Sequence, residues 1–290
     1  MAWCDVCFLF CLCWLSRTLG CQALAAASGV YIPALCAAHL AGSVFYGVRL
    51  GGFLFWRSKN WKEWGERAKN APEAKAQGIM SRLAVIGGCA LLYAFMASPM
   101  LWHIQTANSI PGKEIKSKNC MLLYTWKKKT KKILYSSYLH SIFDSTDLVT
   151  YGEWTLSVAV YQYLVALGVL VQWGGAILEA VADHQKSAFK FSEAGKDRWI
   201  DTGVYAQIRH PNYTGELMFW CGNFIAGLPA MCFSGVWPTI PALIGLSFIN
   251  FLMNNQAKGQ DEKQAAKYGD DAEYKAWVER SGSLFYKNWY

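Results

Sequence analysis

Asp201-Thr-Gly-Val-Tyr-Ala-Gln-Ile-Arg-His-Pro-Asn-Tyr-Thr-Gly-Glu-Leu217 lies between two long apolar segments and decides how the rest of the chain is read. It gathers Arg209, His210, Asn212, Tyr213 and Glu216 at the edge of an apolar run. Pro211 has no N–H and disfavours helix at the residue before it, so a helix is expected to start at Pro211 or Asn212. Asn212 is then close to an N-cap, and Glu216 lies one turn along on the same face. Arg209 and His210 sit on the loop just before. A helix N-terminus with a cation beside it favours anions. Polar groups at the mouth of an apolar bundle are expensive and mark function.

Working outward, the composition agrees with an apolar surround. The chain has 290 residues, 53% of them hydrophobic, with 14 Trp, 15 Tyr and 15 Phe. That is too apolar and aromatic for an ordinary soluble domain. The expected fold is all-α: a polytopic membrane bundle of about six spans. The net charge of +8 suits loops facing an anionic leaflet. No nucleic-acid motif accompanies it, so nucleic-acid binding is set aside. The ten cysteines lie mostly in or beside apolar runs and act as small hydrophobes rather than as a disulfide framework. Cys4-Asp-Val-Cys7 has no second ligand pair, so no metal is assigned.

The whole of residues 1–290 reads as one membrane domain. Residues 1–29 form a short first membrane helix rather than a signal peptide, for want of a basic n-region. Residues 30–104 hold two helices, Val30–Trp56 and Leu83–Trp102, around a basic loop placed on the cytosolic side. In the first, His39 reads as a satisfied structural histidine. Tyr46 and Arg49 share a face. Two readings stand for them: a belt aromatic beside a snorkelling Arg, or a proton donor beside a phosphate ligand. Pro99 is expected to kink or end the second helix. Residues 105–153 are a lysine-rich insertion, weakly patterned and expected to be disordered.

Residues 154–290 carry the remaining chemistry. A membrane helix spans 154–182. If it continues, Glu179, Asp183, Lys186 and Lys190 fall on one stripe. The four could form intrahelical ion pairs, each contributing roughly 0.3–0.5 kcal/mol. Alternatively, a buried Glu179 wants an amide or hydroxyl donor, which a nicotinamide carboxamide or a ribose supplies. Arg198 could meet a 2′-phosphate, or sit on a plain surface loop. Two further membrane helices, Leu217–Phe233 and Val236–Met253, join near Ser234-Gly235 and end at Asn254-Asn255. An amphipathic tail follows. The sequon Asn212-Tyr-Thr214 is discounted because it falls on the cytosolic side.

Four blocks together carry a resemblance. They are Tyr46-x-x-Arg49 followed by Leu50-x-x-Phe53-Leu54-x-x-Arg57; Glu179-x-x-x-Asp183-x-Gln185-Lys186; Arg209-His-Pro-Asn-Tyr-x-Gly-Glu216; and Glu262 with Tyr268-Gly269, Tyr274 and Trp277. This set resembles the steroid 5α-reductase C-terminal superfamily, in its DUF1295-type branch. Sterol C14 reductases and isoprenylcysteine carboxyl methyltransferases are related to it. The resemblance implies an NADPH-dependent reductase of a carbonyl-conjugated C=C bond on a steroid or other lipid, in the endoplasmic reticulum or another endomembrane. It adds a cytosol-facing cofactor cavity to the bundle and implies Tyr46 as the catalytic group. It implies Arg49, Lys190, Arg198 and Arg209 at phosphates, with Lys186, His210 and Tyr213 in the same cofactor site. Glu179, Asp183, Asn212 and Glu216 would orient nicotinamide and ribose. The alternatives are a SAM-dependent methyltransferase of a lipid or prenyl-cysteine carboxyl group, and a non-catalytic membrane scaffold. The family pairs its catalytic Tyr with an acid on the first helices; here the N-terminal region offers only Asp5.

Overall fold

The longest described helix, α3, runs without interruption over Val158–Phe191: it holds no proline, and Gly174-Gly175 do not break it. It belongs to a computed structural model that describes residues 34–60, 79–108, 120–127, 130–137, 148–151, 154–195 and 197–286. The readings of the first 29 residues, of the basic loop after Asn60 and of much of the lysine-rich segment lie outside them. Five further α-helices are described: α1 (Ala34–Asn60), α2 (Ile79–Asn108), α4 (Pro211–Phe233), α5 (Thr239–Tyr268) and α6 (Ala272–Arg280). Helices therefore carry the fold, as expected.

Within the insertion the expectation of disorder gives way to structure. Strands β1 (Cys120–Lys127), β2 (Thr130–Ser137), β3 (Leu148–Tyr151) and β4 (Trp154–Ser157) form one sheet in the order β2-β1-β3-β4. β1 pairs antiparallel with β2, with Lys127 opposite Thr130 and Cys120 opposite Ser137. Aromatic and branched residues flank the lysine run on both sides, which suits a strand pair. The expected helix from 154 thus starts four residues later, after β4.

Two other boundaries differ. Pro99 does not end α2, which continues to Asn108. The missing Pro99 N–H leaves the Phe95 carbonyl without its helical donor, and Ser98 Oγ donates to that carbonyl at 2.7 Å instead. Nor do Asn254 and Asn255 stop α5, which extends to Tyr268. Their side-chain amides donate to the carbonyls of Asn250 and Phe251, each at 2.8 Å, so these polar residues are satisfied within the helix.

The chain forms two compact units. One holds the described residues up to Val169 together with Asn223–Gly245. Its core packs Cys36 and Leu40 of α1 against Met100 and Ile104 of α2. Glycines admit close helix contacts: a Cβ on Gly245 would lie 2.7 Å from the Met96 nitrogen. The other unit holds Leu170–Gly222 and the chain from Leu246 onward.

Two described helices are long and apolar enough to cross a membrane by length and composition: α2 over Gly87–Gln105 and α3 over Val160–Phe191.

Candidate functional site

The site is built where α3 meets α4. A Cβ on Gly215 would come within 2.6 Å of the Glu179 nitrogen and 2.7 Å of the Gly175 carbonyl oxygen. Residues without a Cβ on both helices let the backbones approach this closely. The contact brings Glu179 beside α4, one turn in from Asn212. The stripe on α3 is realised, since the helix continues through it. Glu179 and Asp183 are buried, at 4% and 9% exposure, and Lys186 and Lys190 are half-buried.

The loop of residues 201–210 lies against the same helix. Gly203 adopts a left-handed φ of 61°, and the Gln185 side chain fills the space where a Cβ would go. Gln185 Oε1 accepts the Val204 N–H at 3.0 Å. Tyr205 is buried and donates from its hydroxyl to the Ala182 carbonyl at 3.2 Å. Burial, then the charge of Asp183 and the neighbouring Tyr213, push the Tyr205 hydroxyl well above its ordinary pKa.

Helix α4 begins at Pro211, the first of the two starts expected. His210 therefore takes the cap position assigned above to Asn212. Its carbonyl accepts the N–H groups of Tyr213 and Thr214, at 3.0 and 3.1 Å. Asn212 sits inside the first turn, with its Oδ1 buried and lacking a hydrogen-bond donor among the described residues. Tyr213 stacks on the His210 ring with centroids 5.5 Å apart. Glu216 is half-buried on the face one turn from Asn212.

Arg209 and His210 converge on Asp261 of α5. Arg209 Nε and Nη2 donate to the two Asp261 oxygens at 2.9 and 3.0 Å, a bidentate pair. His210 Nε2 lies 2.9 Å from Oδ1 and Ser283 Oγ donates to Oδ2 at 2.7 Å. Burial alone would raise the Asp261 carboxyl. Hydrogen bonds from His210, Arg209 and Ser283 outweigh it and hold the group well below the usual carboxylate range. His210 is shifted down by burial, against the opposing pull of Asp261, with Lys186 and Arg209 adding to the lowering. A neutral imidazole donating from Nε2 to an ionised Asp261 fits both directions.

The basic residues expected at phosphates hold protein groups in this structure. Arg209 Nη1 also donates to the Ser281 carbonyl at 2.7 Å. Lys190 Nζ donates to the carbonyls of Gly195 and Arg198, at 3.0 and 2.8 Å. Arg198 pairs with Asp201 at 3.3 Å and Glu273 at 3.1 Å, at an exposed position. It also lies over the Trp199 ring, 5.1 Å from its centroid.

Tyr46 and Arg49 belong to the other unit. Tyr46 is buried and the Arg49 guanidinium lies 5.7 Å from its ring centroid, so the shared face is realised. In the same unit His39 is fully buried between two partners, 2.9 Å from His103 Nδ1 and 2.9 Å from Asn223 Oδ1. That fits its reading as a structural histidine.

No motif or spacing in the sequence marks Asp261, Ser283, His103 or Asn223. Asp261 stands 52 positions from Arg209, and no periodicity links residues so far apart. A Ser or Asp in an amphipathic tail gives no local signal of its partner.

No match to the chain was found among curated proteins or among solved structures. A family model described as protein of unknown function (DUF1295) matches residues 125–281, more than half of the 290. The match takes in α3, α4, α5 and α6, with Glu179, the Arg209–Glu216 motif and Asp261 inside it, and so the chain belongs to the DUF1295 family.

Proposed function

We propose that the protein is a multi-pass membrane reductase, of the endoplasmic reticulum or another endomembrane, that uses NADPH to reduce a carbonyl-conjugated C=C bond of a steroid or other lipid. The observation that carries this is the buried Asn212 Oδ1, which lacks a donor among the described residues, with the buried Glu179 and Asp183 in the same unit. A buried acceptor without a donor favours a ligand that brings one. A carboxamide NH2 and ribose hydroxyls are donors of that kind, so the nicotinamide end of the cofactor fits these residues. At the phosphate end, Arg198 is the accessible cation, because exposed ion pairs exchange partners at little cost.

The membrane part is supported by α3. Val160, Tyr163, Leu167, Leu170, Ile177 and Val181 are exposed apolar residues spaced by three, four or seven positions, which puts them on one face. From Val160 to Val181 the helix rises about 31 Å, close to the thickness of a bilayer's hydrocarbon core. Acyl chains are the natural cover for such a stripe. Exposed Ile240, Leu243, Ile244 and Phe251 on α5 point the same way.

NADPH, when bound, supplies the hydride for the β-carbon of the enone. Glu179, Asp183 and Asn212 would orient it through hydrogen bonds, and Glu216 would add a further acceptor. Tyr46 is assigned the polarisation of the substrate's carbonyl oxygen as negative charge develops there. Tyr46→Phe should keep cofactor affinity and lose turnover; unchanged turnover would remove that role.

A second reading, a SAM-dependent methyltransferase, is favoured by one observation. Arg209 and Lys190 are already hydrogen-bonded to Asp261 and to loop carbonyls, and SAM has no phosphate that needs them. Its ammonium and ribose hydroxyls would also suit the buried acids. Thermal shifts of detergent-purified protein with NADPH, NADH and SAM separate the readings. A ligand at 100 times its dissociation constant stabilises by about 2.7 kcal/mol. A shift with NADPH that Glu179→Ala abolishes supports the reductase. A shift with SAM alone supports the methyltransferase, and no shift with any supports a scaffold.

A further inference from the structure

Residues 281–284 follow α6 and run along the loop that carries the Arg209–Glu216 motif. The Arg209 N–H donates to the Gly282 carbonyl at 2.8 Å, the His210 N–H to the Ser283 carbonyl at 3.0 Å, and the Gly282 N–H to the Gln207 carbonyl at 2.9 Å. Ile208 and Gly282 form a parallel bridge. Thr214 Oγ1 donates to the Leu284 carbonyl. Trp277, buried, donates from Nε1 to the Tyr205 carbonyl at 3.0 Å. The C-terminal segment thus acts as an added strand on the loop.

Side chains secure it at one point. The Asp261 carboxylate accepts from Arg209 Nε and Nη2, from His210 Nε2 and from Ser283 Oγ. Arg209 reaches on from there to the Ser281 carbonyl with Nη1. One carboxylate therefore fixes the loop, the cap of α4 and the C-terminal segment together. Asp261 lies on α5, outside the 201–217 motif, and its carboxylate faces Arg209, His210 and Ser283.

We infer that Asp261 is a positioning residue: it clasps Arg209 and His210 to the C-terminal segment, and the clasp holds the first turn of α4 in the geometry that the ligand site needs. Arg209 and His210 then serve the site by holding its backbone rather than by touching the ligand. This rests on reading residues 201–217 as part of a ligand site, but the clasp itself is measurable without any ligand.

The test uses hydrogen exchange and ligand affinity on the full chain in detergent, comparing wild type with Asp261→Asn, Ser283→Ala, Arg209→Ala and the double variant Arg209→Ala/Asp261→Asn. Asp261→Asn should speed exchange in peptides covering 207–214 and 278–284 together, by tenfold or more, while α3 peptides stay protected. Ser283→Ala, which removes a single bond, should move the same peptides less and guards against a variant that merely fails to fold. With NADPH or SAM, whichever stabilises the wild type, Asp261→Asn should weaken binding tenfold or more, and the double variant should be no worse than Arg209→Ala. If Arg209 instead meets a ligand phosphate, Asp261→Asn releases its guanidinium and tightens NADPH while leaving SAM unchanged, which overturns the proposal. Unchanged exchange in both segments overturns it as well. If neither ligand binds the wild type, the cofactor reading fails, and the exchange data still decide for or against the clasp.

Discussion

In one unit, His39, His103 and Asn223 link three helices with no formal charge; in the other, Arg209, His210 and Ser283 converge on the charged Asp261. Each network is buried or half-buried, yet the chemistry differs. Asn223 Nδ2 donates to the Met96 carbonyl at 2.8 Å, so its Oδ1 must accept from His39 Nε2. A His39 protonated on Nε2 presents a bare Nδ1, which must accept from His103 Nδ1. The chain closes with both imidazoles uncharged. Such a network suits the packed apolar helices α1, α2 and α4, where an ion would lose its hydration. The Asp261 clasp can use charge because Asp261 keeps 25% of its side chain exposed. Where solvent reaches, ions hold a loop. Where it does not, oriented neutral dipoles hold helices.

The comparison breaks most sharply at His39. His39→Leu strands the His103 Nδ1–H and Asn223 Oδ1, each a buried group costing about 1–3 kcal/mol when unsatisfied. A net loss of about 3 kcal/mol is expected from unfolding of the purified protein. Replacing His39, His103 and Asn223 all by Leu should recover much of it, since no polar partner is then left behind apart from the Met96 carbonyl. A triple variant as unstable as the single one would mean the network is not a unit.

Next comes Asp261→Asn, which breaks a partly exposed charged hub. A loss of about 2 kcal/mol at pH 7 is expected, below the 3–5 kcal/mol typical of fully buried pairs. Its pH dependence sharpens the contrast. The Asp261 pKa is lowered on folding, so its contribution is full above the unfolded value of about 3.9 and fades as the pH falls through that value and below. The His210 pKa is also lowered on folding, so the folded form loses stability as the pH drops below about 6.5. Both act in one direction: acid loosens the clasp. The melting-temperature gap between wild type and Asp261→Asn should hold from pH 8 to about pH 5 and begin to narrow only below about pH 4, where the unfolded carboxylate protonates while the folded one stays ionised. A gap that closes above about pH 5 would deny Asp261 its role as an ionised hub.

Much of this architecture was legible in the residues. Pro211 set the start of α4, because a proline ring suits the first helical turn. The unbroken run to Phe191 put Glu179, Asp183, Lys186 and Lys190 on one stripe of α3. The Asp261 partnership was not legible, because complementarity between α5 and a distant loop leaves no mark in local periodicity. The Gly175–Gly215 contact was hidden for a related reason: a glycine reads as a turn or a helix weakness until its neighbour is known. Asn254 and Asn255 misled because asparagine favours caps, yet its amide can also donate to its own helix. The lysine run masks the short apolar stretches Met121–Trp126 and Ile133–Tyr135, which lie on the strands that pair as β1 and β2.

The smallest effect tests how far the clasp depends on the helix that delivers its strap. Asp271 caps α6, accepting the N–H groups of Glu273 and Tyr274 at 2.7 and 3.2 Å. An aspartate cap is worth about 1 kcal/mol against alanine. Tyr274 and Trp277 of α6 pack with Trp199, so aromatic burial as well as the cap holds this helix. Asp271→Ala should therefore lower stability by about 1 kcal/mol or less and leave exchange at Arg209 and His210 nearly unchanged. If it instead deprotects those amides as strongly as Asp261→Asn, the strap is held through α6 as a whole, and the Asp261 carboxylate is one fastener among several rather than the point on which the loop turns.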